Sequence, residues 1–246
     1  MVANSSSVAD DVRSCCRNRR AVHTIHNAVA LEEFTPEGDC LDLDTAAGMP
    51  SCPNGIVRIG LVSTMAWWKG QKDFIRAISL VPRCAPIRAY LIGGLLYQTD
   101  TEQFTIAELR QFATSLGVAD RIGFTGFVPR PAAAIRTVDI VVHASNKPEP
   151  FGRVIVEAMA CAKPVISTAM GGAAELVEDG VTALTYPAGD ANVLAARILQ
   201  LAADPGLRHR LGAAGRAIAV AKFDRLRLGA VLSPVYLEAI AHFQRA

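Results

Sequence analysis

Glu149 and Glu157 stand eight residues apart, with Pro150, Phe151 and Gly152 between them. The stretch around them reads ASNKPEPFGRVIVEAMAC over residues 144–161. Its first half has the proline and polar content of a loop, and its second half the apolar spacing of a helix. Pro148 and Pro150 fix φ and stiffen the loop. Gly152 removes a side chain where the helix begins. The amides of Gly152, Arg153 and Val154 are then left without intrahelical partners, and such a helix start favours phosphate oxygens. A carboxylate further along the helix can accept from both hydroxyls of a ribose, and one in the loop can hold sugar hydroxyls. The spacing therefore suits a sugar–diphosphate–ribose ligand lying across the helix start. The same residues fit a plainer role equally well, with Glu149 a solvated loop acid and Glu157 a surface helix acid.

A second loop, STMAWWKG at 63–70, carries Lys69, one of five lysines against twenty arginines. A lysine between a buried strand and a helix can reach a crevice and act as a point charge on a diphosphate. Its alternative is a solvated lysine at a helix N-terminus, where the dipole slightly disfavours a cation. Trp67 and Trp68 can stack on a ligand, though one packing inward is the simpler use of at least one of them. Gly126, Phe127 and Val128 follow a strand and can form the edge of a base pocket through main-chain groups, unless Phe127 packs in the core. Gly171-Gly172 suits a close backbone approach or a strand-to-helix turn. His143, inside the apolar run VVHAS, reads as a hydrogen-bonded core residue.

These loops need a scaffold, and the pattern from residue 56 onward supplies one. Strands are expected at Ile56–Val62, Ile87–Ile92, Arg121–Phe127, Val138–Ala144, Pro164–Ser167 and Ala183–Tyr186. Helices are expected at Gln71–Val81, Thr105–Leu116, Pro131–Arg136, Arg153–Cys161, Ala173–Glu178, Ala191–Leu201, Pro205–Ala221 and Leu226–Phe243. Continuously apolar strands alternating with helices indicate an α/β fold, a doubly wound, Rossmann-like parallel sheet covered on both faces. Ligands of such sheets lie beyond the carboxyl ends of the strands, which marks loops 63–70, 93–101, 126–131, 144–152 and 168–173. Residues 35–55, rich in Pro, Gly and acids, read as a linker or long loop. Ahead of them, Val8–Arg17 reads as a short helix and Ala21–Ile25 as a short strand.

The 246 residues are 51% hydrophobic and carry a formal net charge of +2. That composition supports a folded core and excludes a broad nucleic-acid-binding surface. No apolar run reaches membrane-spanning length and no signal peptide is visible, so a cytoplasmic location is expected. Cys15, Cys16, Cys40, Cys52, Cys84 and Cys161 form no C-x-x-C pair and no zinc-ligand spacing, and read as reduced thiols.

Together the motifs WKGQKDFIRAI, YLIGG, RIGFTGFV, EPFGRVIVE, EAMACAKPVISTAMGGAAELVEDGVTAL and PAGD resemble the retaining glycosyltransferases of group 1, family 4, over about residues 27–216. The resemblance implies the C-terminal, donor-binding half of a GT-B fold, covering residues 56–246. Residues 1–34 then correspond to a remnant of the N-terminal domain and its crossover. It further implies transfer of a sugar from a nucleoside-diphosphate sugar, with retention and without metal or cofactor. Lys69 matches the lysine on the donor diphosphate, Glu149 the acid on the donor sugar and Glu157 the acid on the ribose. These make Lys69 and Glu149 the catalytic expectations. Phe151, Gly152, Arg153 and Val154 match the segment beside sugar and phosphates, and Gly126–Val128 the base edge.

The chain departs from that pattern in three places. Ser63 and Thr64 stand where many relatives have Gly-Arg, so Thr64 lines the donor site without the usual cation, and Arg153 is a candidate replacement. Asn146-Lys147-Pro148 makes its loop one residue longer than the commonest form. An acceptor-binding N-terminal domain has no counterpart, and His23 and His26 belong to the crossover rather than to catalysis. The expected function is thus a donor-binding half with little transfer activity alone. The alternative is a non-catalytic subunit that needs a separate N-terminal half. An exposed interdomain face predicts self-association. A sugar-nucleotide epimerase and a phosphorylase fit the EPFG-to-EAMA stretch less well, and a glycoside hydrolase needs two carboxyls facing one bond, which nothing in the spacing enforces.

Overall fold

A computed structural model describes residues 1–16, 21–95 and 103–244. Arg17 of the expected first helix and residues 96–101 of the 93–101 loop lie outside the described residues. In chain order the elements are β1 (Val2–Ala3), α1 (Ser6–Cys15), β2 (His23–Thr24), α2 (Leu43–Ala47), β3 (Val57–Val62), α3 (Gln71–Leu80), β4 (Ile87–Ile92), α4 (Ile106–Ser115), β5 (Ile122–Gly126), α5 (Pro131–Thr137), β6 (Ile140–His143), α6 (Arg153–Ala160), β7 (Val165–Ser167), β8 (Ala183–Thr185), α7 (Ala191–Ala203), α8 (Pro205–Lys222) and α9 (Leu228–Phe243).

The six strands β3–β8 form one sheet in the order β5-β4-β3-β6-β7-β8, every pair parallel. Counted from β3, that is 3-2-1-4-5-6, the doubly wound order, with its topological switch between β3 and β6. The expected fold class is therefore the observed one. Both faces are buried because β3, β4 and β6 are apolar on both sides. Ile59 and Leu61 sit with Phe74, Ile78 and Leu194 on one face, and Tyr90, Val141, Ile155 and Met159 lie on the other. α3 turns Phe74, Ile75, Ala77 and Ile78 inward, and α4 is started by a reciprocal Thr105–Glu108 capping box.

Three expectations change. Ala173–Glu178 is not a helix: a 3-10 turn spans Gly172–Glu175. The Glu178 carbonyl then accepts the amides of Val181, Thr182 and Ala183 and turns the chain into β8. The strand expected at Arg121–Phe127 is shorter at both ends. Arg121 is drawn into a 3-10 turn and donates from Nη1 to the Val81 carbonyl at 2.9 Å. Residues 35–55, read as a linker or long loop, carry a short helix and pack on the sheet. Asp42 caps α2, and Asp44 (5% exposed) is buried. Asp44 accepts from Tyr90 Oη and Arg88 Nη1, both at 2.6 Å, and from the Cys52 amide at 2.8 Å. This pins the segment over β4 and β5, and three donors are what a carboxylate needs to stay charged there.

Ahead of it, β1 and β2 form a small parallel pair. Among the described residues no helix is long and apolar enough to cross a membrane. α9 leaves Tyr236, Leu237 and Ile240 exposed.

Candidate functional site

A cleft of about 600 Å³ opens over the carboxyl ends of β3 and β6, at the switch point of the sheet. The 63–70 loop enters it from β3 and the 144–152 loop from β6. Gly70 (φ 76°) joins them: a Cβ there would lie 1.9 Å from the Ala144 carbonyl oxygen, and the Asn146 amide donates to the Trp68 carbonyl at 2.9 Å. Only a residue without a side chain permits that approach in a left-handed backbone.

On this joint Lys69 Nζ meets Glu149 Oε1 at 2.5 Å. Glu149 is only 6% exposed. Ser145 Oγ donates to the same oxygen at 2.5 Å, and His143 Nε2 lies 3.2 Å from it. Burial alone would raise the Glu149 pKa, but the His143 hydrogen bond and the Lys69 charge outweigh it and hold the carboxylate at about 2. The loop backbone is clamped from β7. Glu149 donates its amide to the Met170 carbonyl at 3.2 Å and accepts the Gly172 amide at 2.7 Å. A Cβ on Gly171 would meet the Glu149 carbonyl oxygen at 2.7 Å, and one on Gly172 the Pro150 carbonyl oxygen at 2.2 Å. The double glycine thus serves a close backbone approach.

Gly152 (φ 96°) starts α6 with no side-chain cap, which leaves the first-turn amides of the helix toward the cleft. Gly152, Arg153, Val154 and Glu157 all line it, as do Thr64, Phe127 and Val128. Burial raises the Glu157 pKa despite the Arg153 guanidinium 3.1 Å away. Arg153 therefore brings a cation to the cleft wall but spends it on Glu157.

Two expected donor residues stand elsewhere. Phe151 is buried (3% exposed), with its ring centroid 5.9 Å from that of His26 and 6.0 Å from that of Phe223. Its apolar ring gains more from that cluster than from a polar cleft. Gly126 is a turn (φ 69°) whose carbonyl takes the Gly93 amide at 3.0 Å, tying the ends of β5 and β4 together. Phe127 stands on the rim, 67% exposed, and not in the core. Both tryptophans are half-buried, with Lys69 Nζ 4.0 Å over the Trp68 ring and Lys147 Nζ 4.2 Å over Trp67. His26 Nε2 lies 2.9 Å from Glu175 Oε2, away from the cleft lining.

His143 and Ser145 are site residues that the motifs did not name. His143 ends an apolar strand and counts as core by pattern, and Ser145 lies in the loop that follows. The available signal was a polar residue at the last turn-facing position of β6, six before Glu149.

Residues 56–218 match the family described as "Glycosyl transferases group 1". The chain is 30% identical over 246 residues to the lipopolysaccharide core biosynthesis glycosyltransferase LpsE of Rhizobium meliloti, covering 98% of this chain and 64% of that protein. It is 28% identical to the D-inositol 3-phosphate glycosyltransferase of Streptomyces bingchenggensis, covering 54% of that protein. Among solved structures, Anabaena Alr3699/HepE in complex with UDP-glucose superposes with a TM-score of 0.82 at 30% identity, covering 96% of this chain and 63% of that one. The chain thus spans about 54–64% of the length of these curated relatives.

Proposed function

The chain belongs to the group 1 glycosyltransferases, and from that premise we propose that its cleft binds a nucleoside-diphosphate sugar and presents the sugar for transfer, with retention, to an acceptor. The observation that carries this is the Lys69–Glu149 pair at the switch point, with Glu157 on the same cleft wall. In this reading the first-turn amides of α6 and the Lys69 ammonium hold the diphosphate. An ammonium has three donors and can serve Glu149 and a phosphate together. Glu149 orients the sugar hydroxyls, Glu157 accepts from the ribose, and Phe127 with Val128 borders the base.

During transfer the bond from the anomeric carbon to the diphosphate oxygen breaks, and the electron pair leaves with the diphosphate. A new bond to an acceptor hydroxyl oxygen forms on the same face, and the hydroxyl proton passes to the departing diphosphate oxygen. Lys69 stabilises the charge that grows on the leaving group. No metal is assigned to the reaction. We place the acceptor on a second domain facing this cleft, in the same polypeptide or a separate one, since transfer needs both substrates held in reacting geometry.

A UDP-sugar is the first donor to try, because the similar Anabaena structure holds UDP-glucose. The test is calorimetric titration with UDP-, GDP- and ADP-glucose, comparing the wild type with Glu157→Ala. Binding of one of them that the variant weakens at least tenfold supports the reading. Equal binding by both chains rejects the ribose assignment, and no binding of any of them rejects the donor reading.

A further inference from the structure

We infer that His143 is a positioning residue for the donor sugar: locked as the Nε2–H tautomer, it fixes one oxygen of Glu149 so that the other is left for the sugar. This inference rests on the donor reading of the cleft.

Four groups define the arrangement. The Ala169 amide donates to Ser167 Oγ at 3.1 Å. Ser167 Oγ lies 3.2 Å from His143 Nδ1, and His143 Nε2 lies 3.2 Å from Glu149 Oε1. Ser167 Oγ accepts the Ala169 amide and keeps its own hydrogen to give to Nδ1. That leaves the ring proton on Nε2. The far end gives the same answer: an ionised carboxylate only accepts, so Nε2 must carry a proton to face it. The Ser145 hydroxyl, 2.5 Å from Glu149 Oε1 and 3.4 Å from Nε2, spends its hydrogen on the carboxylate. His143 is 4% exposed and cannot turn to solvent for another partner.

The consequence is an asymmetric carboxylate. Lys69 Nζ, Ser145 Oγ and His143 Nε2 all converge on Oε1, and no donor among the described residues meets Oε2. A carboxylate with one oxygen held by three donors cannot rotate freely. Oε2 is thereby aimed as a fixed acceptor for sugar hydroxyls, with the orientation cost met before the donor arrives. His143 touches Glu149 and not the sugar.

The experiment uses the full chain in two readouts. The first is long-range ¹H–¹⁵N correlation spectroscopy of the histidine-labelled chain without ligand, with the His143 signal identified by its absence in His143→Gln. An Nε2–H pattern is expected, and an Nδ1–H pattern overturns the inference. The second is the ratio of UDP to UDP-glucose dissociation constants, which isolates the sugar. His143→Ala is expected to shrink that ratio about tenfold, with UDP affinity unchanged. His143→Gln, whose amide can donate in place of Nε2–H, is expected to restore most of it. An unchanged ratio in His143→Ala overturns the inference, as does a loss that His143→Gln does not rescue. Failure of the donor reading looks different: no nucleoside-diphosphate sugar binds the wild-type chain, while the ligand-free tautomer signal stands.

Discussion

Gly70 and Ala144 meet so closely that a Cβ on the glycine would sit 1.9 Å from the alanine carbonyl oxygen. Gly70 closes the loop that follows β3, and Ala144 directly follows β6, the two strands between which the sheet reverses its winding. The contact is what brings the lysine loop and the acid loop to one place. Without it, Lys69 and Glu149 have no reason to be neighbours.

Gly70→Ala is accordingly expected to destabilise the fold by about 2–4 kcal/mol, through both the clash and the left-handed backbone. For a chain of this size that is a fall in Tm of about 5–15 °C. Thermal unfolding measures it. Gly189→Ala is the comparison, because it shares a positive φ of 78° but has open space around its Cβ position. A Gly70→Ala loss no larger than that of Gly189→Ala would mean the loop joint is dispensable.

Glu149 is expected to give the acid limb of the stability profile a distinct component. Its pKa in the fold, about 2, lies below the ordinary value of 4.5. Its contribution is therefore full above about pH 4.5 and is lost as pH falls toward 2. In urea unfolding at a series of pH values, Glu149→Gln should flatten the profile in that window relative to the wild type. Parallel profiles for the two chains would contradict the buried, paired state of this carboxylate.

Glu157 has the opposite sign. Burial raises its pKa, so its effect on stability is most favourable at low pH and is lost as pH rises through the folded value. Glu157→Gln should then raise Tm at pH 7, with the gain fading below the carboxylate range, while donor affinity falls. A site that holds a desolvated acid at a cost to the fold is what ligand binding can select. A variant that is both less stable and equally able to bind donor would contradict this.

Phe127 stands 67% exposed at the cleft rim. Phe127→Ala is expected to change stability by less than about 0.5 kcal/mol. It should weaken nucleoside-diphosphate binding by roughly tenfold if the ring stacks on the base. Calorimetry on UDP and on a base-free sugar phosphate separates the two, since only the first should respond.

Much of this molecule is legible in the sequence. The runs IVRIGLV, IRAYLI and VDIVVHA are apolar on both alternating sets of positions, so they had to be buried on both faces, and helices between them had to do the covering. A glycine after two prolines, followed by a helical apolar stripe, located the start of α6 and the acids that flank it. These are local properties: backbone freedom, side-chain period and capping act over a few residues, so neighbouring residues encode them.

The tertiary structure decided what local properties cannot carry. The resemblance set Phe151 beside the ligand, whereas the fold buries its ring, because Phe151 finds His26 and Phe223 from distant segments. Asp44 became a buried anchor only because Arg88 and Tyr90 arrive from β4. His143 belongs to the site only because Ser167, from the next strand, meets one side of its ring while Glu149 meets the other. The energy of a buried charge or hydrogen bond depends on partners supplied by crossover connections, and no pattern within one segment names the strand that will lie beside it.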